Sequence, residues 1–286
     1  MLQGVMSTPR TLREHCIAIL TEGSLPAKLN RPSGGILALD DTHPGVPLDI
    51  AAPARDAALP LREGTGALPR PGALRDPIAR ATCLARFAHH ELMAVELFAW
   101  ALLRWPHMDT ALRRELACVL ADEQRHCRLY LERLDAHGSA LTDHALSGYF
   151  WRHIPAISAS PAGPGAFLAA MGLTLEQANL DFTLVYRDAF REAGDEASAE
   201  VCQRVHDDEV RHVRVAVEWL RRLRGEVDDV ARYAACVPWP LGPARAKGRR
   251  CDVDARRRAT LEPAFIELVR TARSSQELGQ TDPKRS

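Results

Sequence analysis

Asp122-Glu123-Gln124-Arg125-His126 and Asp208-Glu209-Val210-Arg211-His212 are two copies of one pattern, Asp-Glu-x-Arg-His. On an α-helix three residues turn through about 300° and rise about 4.5 Å, so the Glu and His of each copy leave one face. Each copy also has a glutamate upstream at matched spacing: 32 residues separate Glu91 from Glu123, and 33 separate Glu176 from Glu209. Solvated i,i+3 polar pairs on exposed helix faces are the competing reading. The neighbours argue against it. Leu84, Phe87, Ala88, Val95 and Phe98 surround Glu91, Leu116, Val119, Leu120 and Cys127 surround Glu123, and Cys202, Val205 and Val213 surround Glu209. The glutamates therefore lie within apolar stripes. Carboxylates buried there are costly unless something neutralises them.

Two divalent cations carry four positive charges, which balances four glutamates. Glu91, Glu123, His126, Glu176, Glu209 and His212 thus read as a cage of four carboxylates and two imidazoles. That is the ligand set of a carboxylate-bridged di-iron or di-manganese centre in a helix bundle. Carboxylate and imidazole suit iron or manganese, whereas thiolates would point to zinc or an iron–sulfur cluster.

Punctuation along the chain places the helices. Asp76-Pro77 is a helix start, with Asp as N-cap and Pro at N1, and Pro106 stops that helix. A second is expected from near Asp109 to His137-Gly138, where glycine supplies the left-handed cap. With a short link, Glu91 and the Glu123/His126 pair reach matching depth on antiparallel helices. Glu96 is an alternative ligand, but it lies closer to the turn and about 140° away on the helix, so Glu91 is preferred. A third helix is expected over 174–193 and a fourth over 195–224, with the same register between Glu176 and the Glu209/His212 pair. The stretch 138–172 is long enough to cross a bundle from end to end. The expected fold is all-α: an antiparallel four-helix bundle over 76–225. It is preceded by an irregular, wrapping segment over 1–75 with one short helix near 11–20, and followed over 226–286 by a Pro-rich, basic loop and a last helix over 254–273.

Composition narrows the class. The 286 residues are 46% apolar, and 37 Lys plus Arg balance 37 Asp plus Glu, so no global charge points to nucleic acid or membrane. Seven cysteines show no C-x-x-C pair and read as reduced, buried hydrophobes of a reducing cytosol. No signal peptide is evident, and the most apolar run, from Leu92, is interrupted by Glu96 and too short for a bilayer. A cytoplasmic protein is expected.

The chain resembles the ferritin-like di-iron carboxylate superfamily, and within it an uncharacterised bacterial family that carries a domain-of-unknown-function label. Five stretches carry the resemblance: Phe87-Ala-His-His-Glu-Leu-Met-Ala-Val-Glu-Leu97, Asp122 to His126, Leu173-Thr-Leu-Glu-Gln-Ala-Asn-Leu-Asp181, Asp207-Asp-Glu-Val-Arg-His212 and Pro243-Ala-Arg-Ala-Lys-Gly248. More distantly it is similar to tRNA hydroxylases that act on an isopentenyl-type adenosine. The resemblance implies that Glu123 and Glu209 bridge two metals, that Glu91 and Glu176 are terminal ligands, and that His126 and His212 bind one metal each. It also implies that Asp122 and Asp208 accept hydrogen bonds from ligating imidazoles, which fixes the tautomer and raises basicity.

His206, three residues before Glu209, and Tyr130, one turn beyond His126, are further candidates for supporting the centre. His89 and His90 flank Glu91 without sharing its direction and are expected to pack or hydrogen-bond. Arg245, Lys247, Arg249 and Arg250 form a basic loop, read either as solvated or as a binder of anionic substrate or RNA phosphate. The expected function is an oxygen-activating oxidoreductase, a hydroxylase or monooxygenase, with two Fe ions as cofactor and manganese or a mixed Mn/Fe pair as the alternative. Its expected partners are dioxygen, an external electron donor such as a reductase or ferredoxin, and a small-molecule or modified-RNA substrate. Homodimerisation is compatible with the chain. The rival function is a non-catalytic iron-binding, ferroxidase or metal-buffering protein.

Overall fold

The computed structural model describes residues 9–62 and 67–274. They fall into two compact units divided after Pro155, and both are built mainly of α-helix. Among the described residues no helix is long and apolar enough to cross a membrane.

In the first unit, α1 (Leu12–Thr21) opens with a capping box. Thr11 Oγ1 accepts from the Glu14 amide at 3.0 Å while Glu14 accepts from the Thr11 amide, which satisfies two otherwise orphaned donors. Two long helices follow, α2 (Pro77–Arg104) and α3 (Thr110–Ala136). Asp76 and Asp109 cap them by accepting from Ile78 N and Ala111 N, as their sequence signals require. Gly138, with φ +70°, ends the hairpin in the left-handed region, where a Cβ would be strained. The two helices pack along each other, with α1 on α2. Nearly every side chain from Leu92 to Leu103 is buried.

The expected wrapping segment before α2 is irregular, and buried charge fastens it. Lys28 Nζ lies 2.9 Å from Glu96 Oε1. Arg55 grips the same carboxylate through two hydrogen bonds of 2.8 Å, and Trp151 Nε1 donates to its other oxygen at 3.0 Å. Arg113 on α3 pairs with Asp41 at 2.7 and 2.6 Å, and Gln124 donates to the Lys28 carbonyl at 2.8 Å. A two-residue parallel pairing of Leu61–Arg62 with Leu146–Ser147 closes the unit.

The second unit corrects two expectations. Its first long helix starts at Pro164 instead of Thr174, because Gly163 and Pro164 form a helix start that resembles linker in sequence: Pro at N1 after a glycine with φ +58°. The stretch Leu168–Glu176 is wound as π-helix, and α4 (Gln177–Glu192) continues it. After Gly194, φ +77°, α5 (Glu196–Arg224) returns alongside. Thr174 Oγ1 donates to the Ala169 carbonyl five residues back at 2.7 Å and meets the Tyr233 hydroxyl at 2.8 Å. These bonds support the wide turn from inside.

Gly172 lets this segment approach α5. A Cβ there would fall inside van der Waals contact of the Ala216 Cβ, whereas one at Gly165 would come no nearer than 3.4 Å to Cys236 Sγ. Gly172→Ala is therefore expected to destabilise the protein by about 1–3 kcal/mol through overpacking. Gly165→Ala should be neutral or stabilising by up to about 1 kcal/mol, as helix propensity dictates. Paired thermal melts check both; equal melting temperatures for the two variants would mean that the close approach carries no weight.

Three short helices complete the unit: α6 (Asp229–Cys236), α7 (Val253–Arg258) and α8 (Pro263–Thr271). The single last helix expected over 254–273 is thus two, broken at Thr260, φ +64°, with Pro263 restarting the chain at N1. Arg256, 0% exposed, grips Asp181 on α4 at 2.8 and 3.0 Å. Asp181 also accepts the amides of Gly248 at 2.8 Å and Asp252 at 2.6 Å. The basic loop is folded down by these bonds. Lys247 donates to the Arg270 carbonyl at 2.6 Å, and Arg250 pairs with Asp188 at 3.2 Å.

Candidate metal sites

In the first unit, Glu91 rises from the middle of α2, and Glu123 and His126 face it from α3. They are 5%, 0% and 0% exposed. His126 Nδ1 stands 3.6 Å from Glu123 Oε2 and 3.9 Å from Glu91 Oε2. Each residue offers one ligand atom, and the three lie within 4.8 Å of one another.

The second unit repeats this. Glu176, the last residue of the π segment, and Glu209 and His212 on α5 are 2%, 0% and 2% exposed. His212 Nδ1 stands 3.4 Å from Glu209 Oε2 and 3.9 Å from Glu176 Oε2, and the three ligand atoms again lie within 4.8 Å. The i,i+3 spacing brings each Glu and His together on one helix, and the antiparallel neighbour delivers the third group. The upstream glutamates were legible because the two hairpins share one register.

The residues present suit a cation. Donors about 2.1 Å from a metal, at angles between octahedral and tetrahedral, are about 3.0–3.4 Å apart. The observed 3.4–3.9 Å needs only a small inward adjustment. Each cluster holds two carboxylates and one imidazole, so one divalent ion per cluster balances the charge. Buried acidic and histidine groups that can hold metal are therefore present in both units. Cys127, next to His126, turns its thiol to the Ala88 carbonyl at 3.2 Å and is not among the grouped ligand atoms.

The other candidate residues are placed as follows. Asp122, 8% exposed, accepts from Arg125 at 2.6 Å, one turn along α3. Tyr130 is buried with its ring 5.2 Å from Phe87. Asp208 lies half-buried on α5. His206 is buried between carboxylates, with Nδ1 3.2 Å from Asp207 and Nε2 3.4 Å from Asp252. Glu96, the alternative ligand, is fully buried and engaged by Lys28 and Arg55. Burial depresses Lys28, although Glu96 works against that shift. Burial also holds His90 down to about 4, with Arg86 adding to the effect, and keeps His89 well below the usual histidine range. His90 stacks on Phe150 at 5.5 Å.

One contributor escaped the sequence reading. Asn179 Nδ2 donates to Glu209 Oε1 at 3.1 Å, leaving Oε2 towards His212. Asn179 lies three residues beyond Glu176, the spacing that already marks the ligand pairs on α3 and α5, so a search for a third polar residue at i+3 would have found it.

Residues 19–267 match the profile of a family described as "Protein of unknown function (DUF455)". No curated protein and no solved structure matches the chain.

Proposed function

Because the chain belongs to the DUF455 family, whose description states no activity, we propose its function from the chemistry of the two clusters. The reading is a ferritin-like four-helix bundle whose six ligands close on one two-metal centre, serving an oxygen-activating oxidoreductase of the hydroxylase or monooxygenase type. Glu91, Glu123, Glu176 and Glu209 would hold the metals as carboxylate ligands, Glu123 and Glu209 shared and Glu91 and Glu176 terminal, and His126 and His212 would each hold one. One observation carries the proposal: a buried cluster of two carboxylates and one imidazole is built twice, with the imidazole at 3.4–3.6 Å and 3.9 Å from its carboxylates both times. A chance polar pair has no reason to recur with its third partner.

A bound pair of iron ions would supply the reduction of dioxygen coupled to oxidation of a substrate, with manganese or a mixed pair fitting the same donors. The protein's own residues hold and exclude. Asp122 and Asp208 are proposed to fix the imidazole tautomers from behind. Asn179 occupies one oxygen of Glu209 and aims the other, and the apolar stripes around the glutamates keep bulk water out. Among the described residues nothing forms a thiolate redox module, so the two electrons of a monooxygenase cycle are assigned to a separate reductase or ferredoxin.

Metal analysis of the full chain, prepared anaerobically with ferrous iron, is expected to give two metals per chain. Glu123→Ala and Glu209→Ala should fall below two, and His137→Ala, at the end of α3, should stay at two. Unchanged counts in both glutamate variants would contradict the ligand set. Oxygen uptake that continues with turnover of a reductant marks an oxidoreductase; uptake that stops once the iron is oxidised marks a metal-buffering protein.

A further inference from the structure

The first unit also holds a pocket of about 280 Å³, lined by none of the first cluster's three residues. Its lining combines the apolar Leu68, Ala85 and Leu146 with the cationic or imidazole side chains of Arg86, His89, His144 and Arg152. Among the described residues no aspartate or glutamate lines it.

Three features are unusual together. Arg86 spends one nitrogen on the Ala67 carbonyl, at 2.6 Å, and its guanidinium carries four further N–H donors. Arg152 is exposed and rests over the Tyr149 ring at 5.6 Å. Neither arginine has a carboxylate partner among the described residues, although most other buried or half-buried arginines of this chain do have one, as Arg55, Arg113, Arg232 and Arg256 show. Finally, His89 is 2% exposed, and its Nε2 makes no hydrogen bond among the described residues. A buried ring nitrogen without a partner carries a desolvation cost that a ligand atom would remove.

We propose that this pocket is a binding site for a small organic oxyanion, a carboxylate or phosphate joined to a compact apolar body. Two guanidinium groups supply charge-assisted donors for the oxyanion, His89 Nε2 supplies a buried polar contact, and the Leu68, Ala85 and Leu146 wall receives the body. A pocket near 300 Å³ matches the lower end of small-molecule sites. The inference does not depend on the metal reading, since no metal ligand lines the pocket.

Calorimetric titration of the full chain tests it with two probes, inorganic phosphate and benzoate. Binding of both, or of either one, supports the site and says which oxyanion it takes. Arg152→Gln removes an exposed side chain that no fold contact needs apart from the Tyr149 ring, and is expected to weaken the probe that binds about tenfold. Leu146→Trp, which fills the apolar wall, should abolish benzoate binding. Absence of binding by both probes overturns the proposal, and so does an affinity unchanged in Arg152→Gln. Because the titration is read without turnover, loss of the metals leaves its outcome interpretable.

Discussion

Asp181→Asn is expected to destabilise the protein by about 3–5 kcal/mol, since it leaves the Arg256 charge buried without its counter-ion. Both side chains are 0% exposed, and the carboxylate takes two hydrogen bonds from the guanidinium and one from each of two backbone amides. Asparagine keeps the size but loses the charge, and one of its two heads donates where an acceptor is required. For a chain of this size the melting temperature should fall on the order of 10 °C. The double variant Asp181→Leu with Arg256→Met is expected to recover only the part of that loss due to the unpaired charge, because the Gly248 and Asp252 amides and the Ala246 carbonyl lose their partners. A single variant that melts with the parent protein would show that solvent reaches this pair. The same bonds tie the 243–250 loop to α4, so limited proteolysis near Gly248 should accelerate in the single variant.

Glu96→Ala should cost a similar amount, about 3–5 kcal/mol, and with a distinctive pH dependence. The variant strands two cations, Lys28 at 0% exposed and Arg55, that share one carboxylate in the parent protein. Burial already lowers Lys28 from its ordinary 10.5, and Glu96 opposes that shift. Removing the carboxylate must lower it further. A lysine whose folded pKa lies below its unfolded one binds fewer protons in the native state between the two values, so stability rises with pH across that window. The variant is therefore expected to regain stability as pH is raised towards the ordinary lysine range, about 10, where the native ammonium can be neutral. Arg55 stays charged throughout, so recovery is partial. Urea denaturation at several pH values reads this directly, and a flat profile would remove Lys28 from the account.

Much of the helical layout was legible locally. Asp76-Pro77, Asp109 and Gly138 mark their helix ends because capping is a matter of a few adjacent atoms. The two buried Glu/His clusters were legible because a face repeats every three or four residues, and the repeat occurred twice. What escaped lay at long range or in backbone detail. Nothing near Glu96 announces Lys28 and Arg55, which lie 68 and 41 residues upstream, and nothing near Asp181 announces Arg256. Such pairs have no period to read. The early start of the 164 helix was missed because Gly163-Pro164 serves equally as linker and as N-terminus. The break at Thr260 was missed because threonine rarely takes φ above zero.

The winding that ends at Glu176 bears on how related chains should be compared. From 168 to 176 the backbone accommodates an extra residue per loop of the spiral relative to the helix that follows. A sequence that retained all six acidic and histidine positions but coiled this stretch at ordinary pitch would rotate the carboxylate by roughly one residue's turn, about 100°, away from its histidine. Shared letters alone would then overstate kinship of function, and a one-residue gap in an alignment just ahead of this glutamate would be a stronger warning of altered chemistry than a substitution in the glutamate's neighbours.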